Sequence, residues 1–171
     1  WRPNEGDLQA ALHAVAEGDA TSAMMDAFAE AQGVPRQPIS PSLLGMDSLL
    51  MQASPEYAQV PGIVARSLML PYVVGLRFVS YLREKSEGFG AVDRAFAIRP
   101  ISTEHILHPE KYLAYEPVVE VEPPPAPPGF AETEFRDVVG EQGLRLLFEE
   151  WAPAEEAARA ARDWGGDRVA L

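Results

Sequence analysis

Between Pro71 and Glu87 the chain is apolar nearly all the way round. Tyr72, Val73, Val74, Leu76, Phe78, Val79 and Leu82 leave no continuous polar stripe. A helix with that pattern has to be covered by other elements on every side. The run therefore predicts a central, buried helix, closed by Gly88 and Gly90, with shorter amphipathic helices packed around it. The longest apolar stretch, Leu68–Leu82, contains Pro71 and Arg77. At that length it predicts a core helix and no membrane span.

The remaining periodicity supplies the covering helices. Asp7–Gln32 reads as a helix ended by Gly33 and Pro35. Leu8, Leu12, Val15 and Ala23 fall on one face. His13, Glu17, Met24 and Phe28 share a second, within a sector of about 60°. Pro35–Pro41 is a linker. Ser42–Gln52 and Ser54–Ser67 read as short helices with serine N-caps. Ala91–Ala97 is a short helix stopped by Pro100, and Ser102–Leu107 a capped turn before Pro109. Val118–Glu122 alternates like an edge strand, and residues 117–130, with the string PPPAPPG, form a stiff Pro-rich internal linker. Phe135–Trp151 carries the stripe Leu144, Leu147, Phe148 and Trp151. Pro153–Trp164 is alanine-rich and capped by Gly165-Gly166. Tyr72, Tyr81 and Trp151 read as core, and Glu149-Glu150 and Glu155-Glu156 as solvated faces. The expected architecture is mainly α: one bundle-like domain over residues 1–171 with one or two short edge strands.

Composition narrows the function classes. The net charge is −12. Nucleic acid and anionic lipid both require clustered Lys and Arg, so neither is an expected partner. There are no cysteines, which removes disulfides and thiolate metal sites and suits the cytosol and an exported protein equally. The Ala, Pro, Gly and Arg bias suits a GC-rich bacterial genome. The opening WRPNEGD has no apolar signal-peptide core and no initiator Met, and the chain stops on the strand-like Arg168–Leu171. Both ends read as cuts through a larger protein or as products of processing. No G-x-S-x-G, P-loop or G-x-G-x-x-G occurs.

Two places carry residues suited to chemistry. Glu17 shares its helix face with Met24 and Phe28, where an unpaired carboxylate would be costly. His13 stands one turn earlier, so H-x-x-x-E could present two metal ligands. The alternative is a solvated stripe or a partner Arg or Lys. The second place is Ser102–His108, STEHILH. Ser102 is a natural N-cap, with His105 at the position where Glu or Gln would complete a capping box. His105 and His108, three apart, could face one metal or one substrate. Zinc takes three protein ligands, and the alternative is a structural turn whose His108 bonds a carbonyl.

Several strings in order resemble a bacterial family of zincin-like metallopeptidases. They are AVAEGDAT (14–21), LPYVVGLRFVSYL (70–82), GAVDRAF (90–96), ISTEHILHPEKYL (101–113), VVGEQGLRLLF (138–148) and DWGGDRVAL (163–171). The resemblance covers nearly the whole chain, and its specific part is STE-x-ILHPEKY. It implies the helical C-terminal lobe of a zincin-like fold. In such enzymes the histidines of an H-E-x-x-H helix bind zinc, its Glu is the general base, and a Glu on the next helix is the third ligand. Glu17 matches that third-ligand position. His108 would lie near the cleft and donate to the oxyanion of the tetrahedral intermediate.

This sequence departs from the pattern. It holds no H-E-x-x-H, and His105 stands where the family has Gln. The resemblance thus implies zinc in an intact enzyme, none on the isolated chain, and no peptidase activity by this chain alone. The expected partners are its own N-terminal half or a second polypeptide, with a peptide as substrate. The reading from a different class is an acidic helical interaction module holding a peptide or a partner subunit.

Overall fold

The computed structural model describes residues 5–34, 60–86, 88–131 and 135–170. Among them are seven helices and two short strands: α1 (Gly6–Ala31), α2 (Gly62–Ser86), α3 (Gly90–Ala97), α4 (Thr103–Leu107), α5 (Pro109–Ala114), β1 (Arg136–Asp137), α6 (Gly140–Phe148), α7 (Ala154–Ala161) and β2 (Val169–Ala170). The mainly helical architecture expected from periodicity is present.

Helices α1 and α2 form the principal packed pair. The buried stripe of α1 is Ala11, Ala14, Gly18 and Ser22, with Val15 beside it. It differs from the expected stripe, because Leu8 and Leu12 are only partly covered and Ala23 is exposed. Small residues win here because the backbones touch. A Cβ on Gly18 would overlap the Gly75 carbonyl group, and one on Gly75 would overlap the Ala14 carbonyl oxygen. Further along, Arg83 of α2 donates to Ser22 Oγ at 2.5 Å and to the Asp26 carboxylate. Contacts advance together on both helices, so the pair runs parallel.

The central helix is longer than expected. It runs unbroken from Gly62 to Ser86 with Pro71 inside it, whereas the sequence places a helix start at Pro71. An interior proline removes one ladder bond and crowds the preceding turn, at about 3 kcal/mol. Burial of Leu70, Val74, Phe78, Val79 and Leu82 outweighs that. By length and composition α2 could cross a membrane; in this fold those five apolar residues are covered by protein, while Val64, Leu68 and Tyr72 are exposed, so the helix is not covered on every side as expected. Of the two helices expected between Ser42 and Ser67, residues 42–59 lie outside the described part, and residues 62–67 belong to α2.

The C-terminal third departs further. Val118–Glu122 forms no strand. Instead Val119 N donates to Gly165 O at 2.6 Å, and a Cβ on Gly166 would overlap the Val119 carbonyl oxygen. Gly166 therefore serves close backbone approach. The left-handed residue after α7 is Asp163, φ 65°. Helix α6 spans only Gly140–Phe148, because Arg136–Asp137 is taken by β1, which pairs antiparallel with β2 (Arg136↔Ala170, Asp137↔Val169). The strand partner of the C-terminal segment is thus within the chain. The buried face of α6 is Gly140, Glu141, Gln142 and Leu146. Trp151 is 78% exposed and Tyr72 is exposed, contrary to their expected core positions. Glu149 and Glu150 are not simply solvated; both pair with Arg66 of α2.

Candidate functional site

The elements meet around α4. Ser102 caps it, its Oγ accepting from His105 N at 3.4 Å, as the capped turn required. Thr103 joins three helices. Its N and Oγ1 donate to the Asp7 carboxylate on α1, and its Oγ1 accepts from Gln142 N on α6 at 3.2 Å. A Cβ on Gly140 would overlap that same Asp7 carboxylate, and Gly140 has φ 74°. Only glycine satisfies both conditions there. Asp137 accepts from Gly6 N at 2.7 Å at the start of α1. Asp167 accepts from Val139 N, Gly140 N and Trp164 Nε1 at 2.9–3.0 Å. Acidic groups thus hold the helix starts that face this centre, where partial positive charge favours them.

Burial raises the Asp7 carboxyl to about 6, against the lowering effect of the Thr103 bonds, with Asp167 and Glu104 adding repulsion. Glu104 is buried and accepts from Lys111 Nζ at 2.6 Å, and Lys111 also pairs with Glu116 at 3.2 Å. The Glu104 bond holds the Lys111 ammonium above its usual range.

The two histidines of the turn diverge. His105 is fully buried. Its Nε2 lies 2.8 Å from the Glu116 carbonyl oxygen, so that nitrogen carries the proton. The ring packs at 6.0 Å from Tyr112 and 5.9 Å from Tyr115. His105 thus pins the chain leaving α5. His108 turns toward α6 and stays 22% exposed. Its Nε2 sits 2.8 Å from Glu141 Oε1, and its Nδ1 is 3.8 Å from the exposed Glu110 carboxylate. The Glu141 bond, more than any opposing burial, raises the imidazole above its ordinary value. The arrangement is a proton-holding imidazole backed by a buried carboxylate, with one ring edge toward solvent.

Glu17 lies elsewhere, on α1 about ten residues beyond Asp7, or roughly 15 Å along the helix. It is 28% exposed and bonded to His13 at 3.0 Å. Its face is not a buried one, since Met24 is 65% and Phe28 68% exposed. No contact joins Glu17 to His108 among the described residues, and no cluster of three His, Asp or Glu suited to a metal occurs among them.

The sequence reading did not single out Glu141, Asp7, Glu104 or Lys111. One signal was available for Glu141: in G-E-Q-G-L-R-L-L-F the acidic residue stands in the first helical turn, where a buried carboxylate is best tolerated. No family model, no curated protein and no solved structure matches this chain.

Proposed function

We propose that this chain is the helical lobe of a zinc-metallopeptidase-like protein and that His108 supplies its chemistry, donating a hydrogen bond to the oxyanion formed when a peptide carbonyl is attacked. The observation that carries the reading is the 2.8 Å contact between His108 and buried Glu141. A carboxylate behind an imidazole fixes its orientation and favours the charged, donating form. Nδ1, 3.8 Å from the exposed Glu110 carboxylate, is the edge that would meet a substrate. Pro109 follows at the first position of α5 and fixes the backbone there.

The donors among the described residues do not by themselves fit zinc. His13 and Glu17 are two ligands on one helix, bonded to each other, where a catalytic zinc takes three protein ligands. Further ligands would have to come from another segment or chain. Titration with a phosphinic peptide, whose tetrahedral anion imitates the oxyanion, tests the reading. Saturable movement of the His108 ring resonances is the expected result, with affinity for the phosphinic peptide lost in His108→Gln. Unmoved His108 resonances would overturn it.

The second reading, an acidic interaction module, is favoured by exposed Met24 and Phe28 on one face of α1. Exposed apolar patches mark interfaces. Its occupant would be a second polypeptide or another copy, and light scattering across a concentration series distinguishes association from a monomer.

A further inference from the structure

A separate feature lies between α3 and α5. Ala91, Arg94, Ile98, Tyr112, Leu113 and Tyr115 line a cavity of about 310 Å³. Ile98, Leu113 and Tyr115 are large apolar groups left exposed around this one concavity. Scattered exposed apolar residues need no explanation, but convergence on a hollow does.

The walls are held in place. Tyr112 donates its hydroxyl to Ile98 O at 2.9 Å and packs edge-on against Phe78 at 5.2 Å. Tyr115 adopts a left-handed backbone, φ 51° and ψ 48°. A bulky residue adopts that conformation at a cost, and here it sets the ring against His105 at the cavity wall. His105 in turn is locked to the Glu116 carbonyl.

One cation stands at the rim. The chain has 26 acidic and 14 basic residues. Arg66, Arg83, Lys111 and Arg145 are each paired with carboxylates. Arg94 is solvent-exposed, and no carboxylate among the described residues pairs with it. It lines the same cavity as Tyr112. An apolar, aromatic-walled hollow with one unpaired guanidinium at its edge complements a molecule with an apolar body and a single carboxylate.

We propose that this cavity is a binding site for a small free monocarboxylate with an aromatic or branched aliphatic body. The body packs between Tyr112, Ile98 and Leu113, and the carboxylate pairs with Arg94. The volume stands at the lower end of the roughly 300–1,000 Å³ usual for ligand pockets, which suits one residue-sized body. Neither His108 nor Glu141 lines this cavity, so the proposal does not rest on their role.

The test is a two-dimensional NMR titration of the full chain with 3-phenylpropionate. Saturable shifts of the Ala91, Leu113 and Tyr115 amides are expected. The neutral 3-phenylpropionamide should bind about tenfold more weakly, as the loss of one charge-assisted pair implies. Arg94→Gln should bring the acid down to the affinity of the amide. Leu113→Glu, at an exposed wall position, should weaken the acid further. Arg159→Gln, on α7, is the control and should change nothing. No saturable shift at about 10 mM, a site weaker than any useful affinity, overturns the proposal. Equal binding of acid and amide, or an unchanged acid affinity in Arg94→Gln, does the same. Binding only of a peptide with a free C-terminus would overturn the assignment to a small free acid.

Discussion

At the residue scale the buried acids and the paired imidazole make stability depend on pH in a traceable way. Asp7 binds its proton more tightly in the fold than in the unfolded chain, with a carboxyl raised from 3.8 to about 6. Protonation therefore favours the folded state. That contribution is complete below about 4 and is lost as pH rises through about 6. A shift of that size corresponds to about 3 kcal/mol. In Asp7→Asn the carboxyl is gone, so urea unfolding should show wild type losing stability relative to the variant between about pH 4 and 6. A constant difference would contradict the burial effect. His108 has the same sign: its charged form is favoured by Glu141. Its contribution is complete below the ordinary imidazole value near 6.5 and fades as pH rises through the elevated one. Glu141→Gln removes that partner charge. The His108 titration followed by NMR should then move down; an unmoved midpoint would show that Glu141 is not the cause.

At the element scale the tightest constraint is the contact of α1 with α2. Gly18 and Gly75 meet backbone to backbone, so an added methyl group has no flexible neighbour to displace. Gly75→Ala should cost about 3 kcal/mol or more, at the upper end of overpacking effects, measured by chemical denaturation. Gly33→Ala is the contrast, since its Cβ would meet nothing and only its positive φ opposes substitution. The α4 cap is a smaller matter. Ser102→Ala should cost about 1 kcal/mol through the bond from His105 N. A neutral result would mean that Asp7 and Thr103 hold the turn without the cap. Arg83 closes the far end of the same helix pair, lying 3.9 Å above the Phe89 ring while it holds Ser22 and Asp26.

At the scale of the whole molecule, the polar centre around α4 and the apolar face of α1 point in different directions. The first joins α1, α4 and α6 through Asp7 and Thr103. The second, with Met24 and Phe28, turns outward. His13 and Glu17 sit on that outward face and bond to each other. Two donors make a weak zinc site, so the purified chain should retain less than stoichiometric zinc after dialysis, measured by elemental analysis. Stoichiometric metal that disappears in Glu17→Ala would overturn that expectation. Replacing Met24 and Phe28 by serine should leave stability within about 0.5 kcal/mol, as for other surface changes. It should also abolish any concentration-dependent association seen by light scattering.

What the sequence by itself determined is what local periodicity can carry. The span of α1, the apolar character of the central helix, the short helix after Gly90, the Ser102 cap and the alanine-rich α7 all follow from spacing within one or two turns. What it left to the tertiary structure is every choice that depends on a distant neighbour. Pro71 sits inside α2 because packing outweighs a lost ladder bond. Small residues, not leucines, line α1 because Gly75 lies directly against them. Trp151 faces water because α6 buries Glu141, Gln142 and Leu146 instead of the stripe that ends on the tryptophan. The site itself belongs to this second class. Glu141 reaches His108 across 33 residues and Asp7 reaches Thr103 across 96. Hydrophobic period places a side chain on a face; only the crossing of helices decides which charge it meets there.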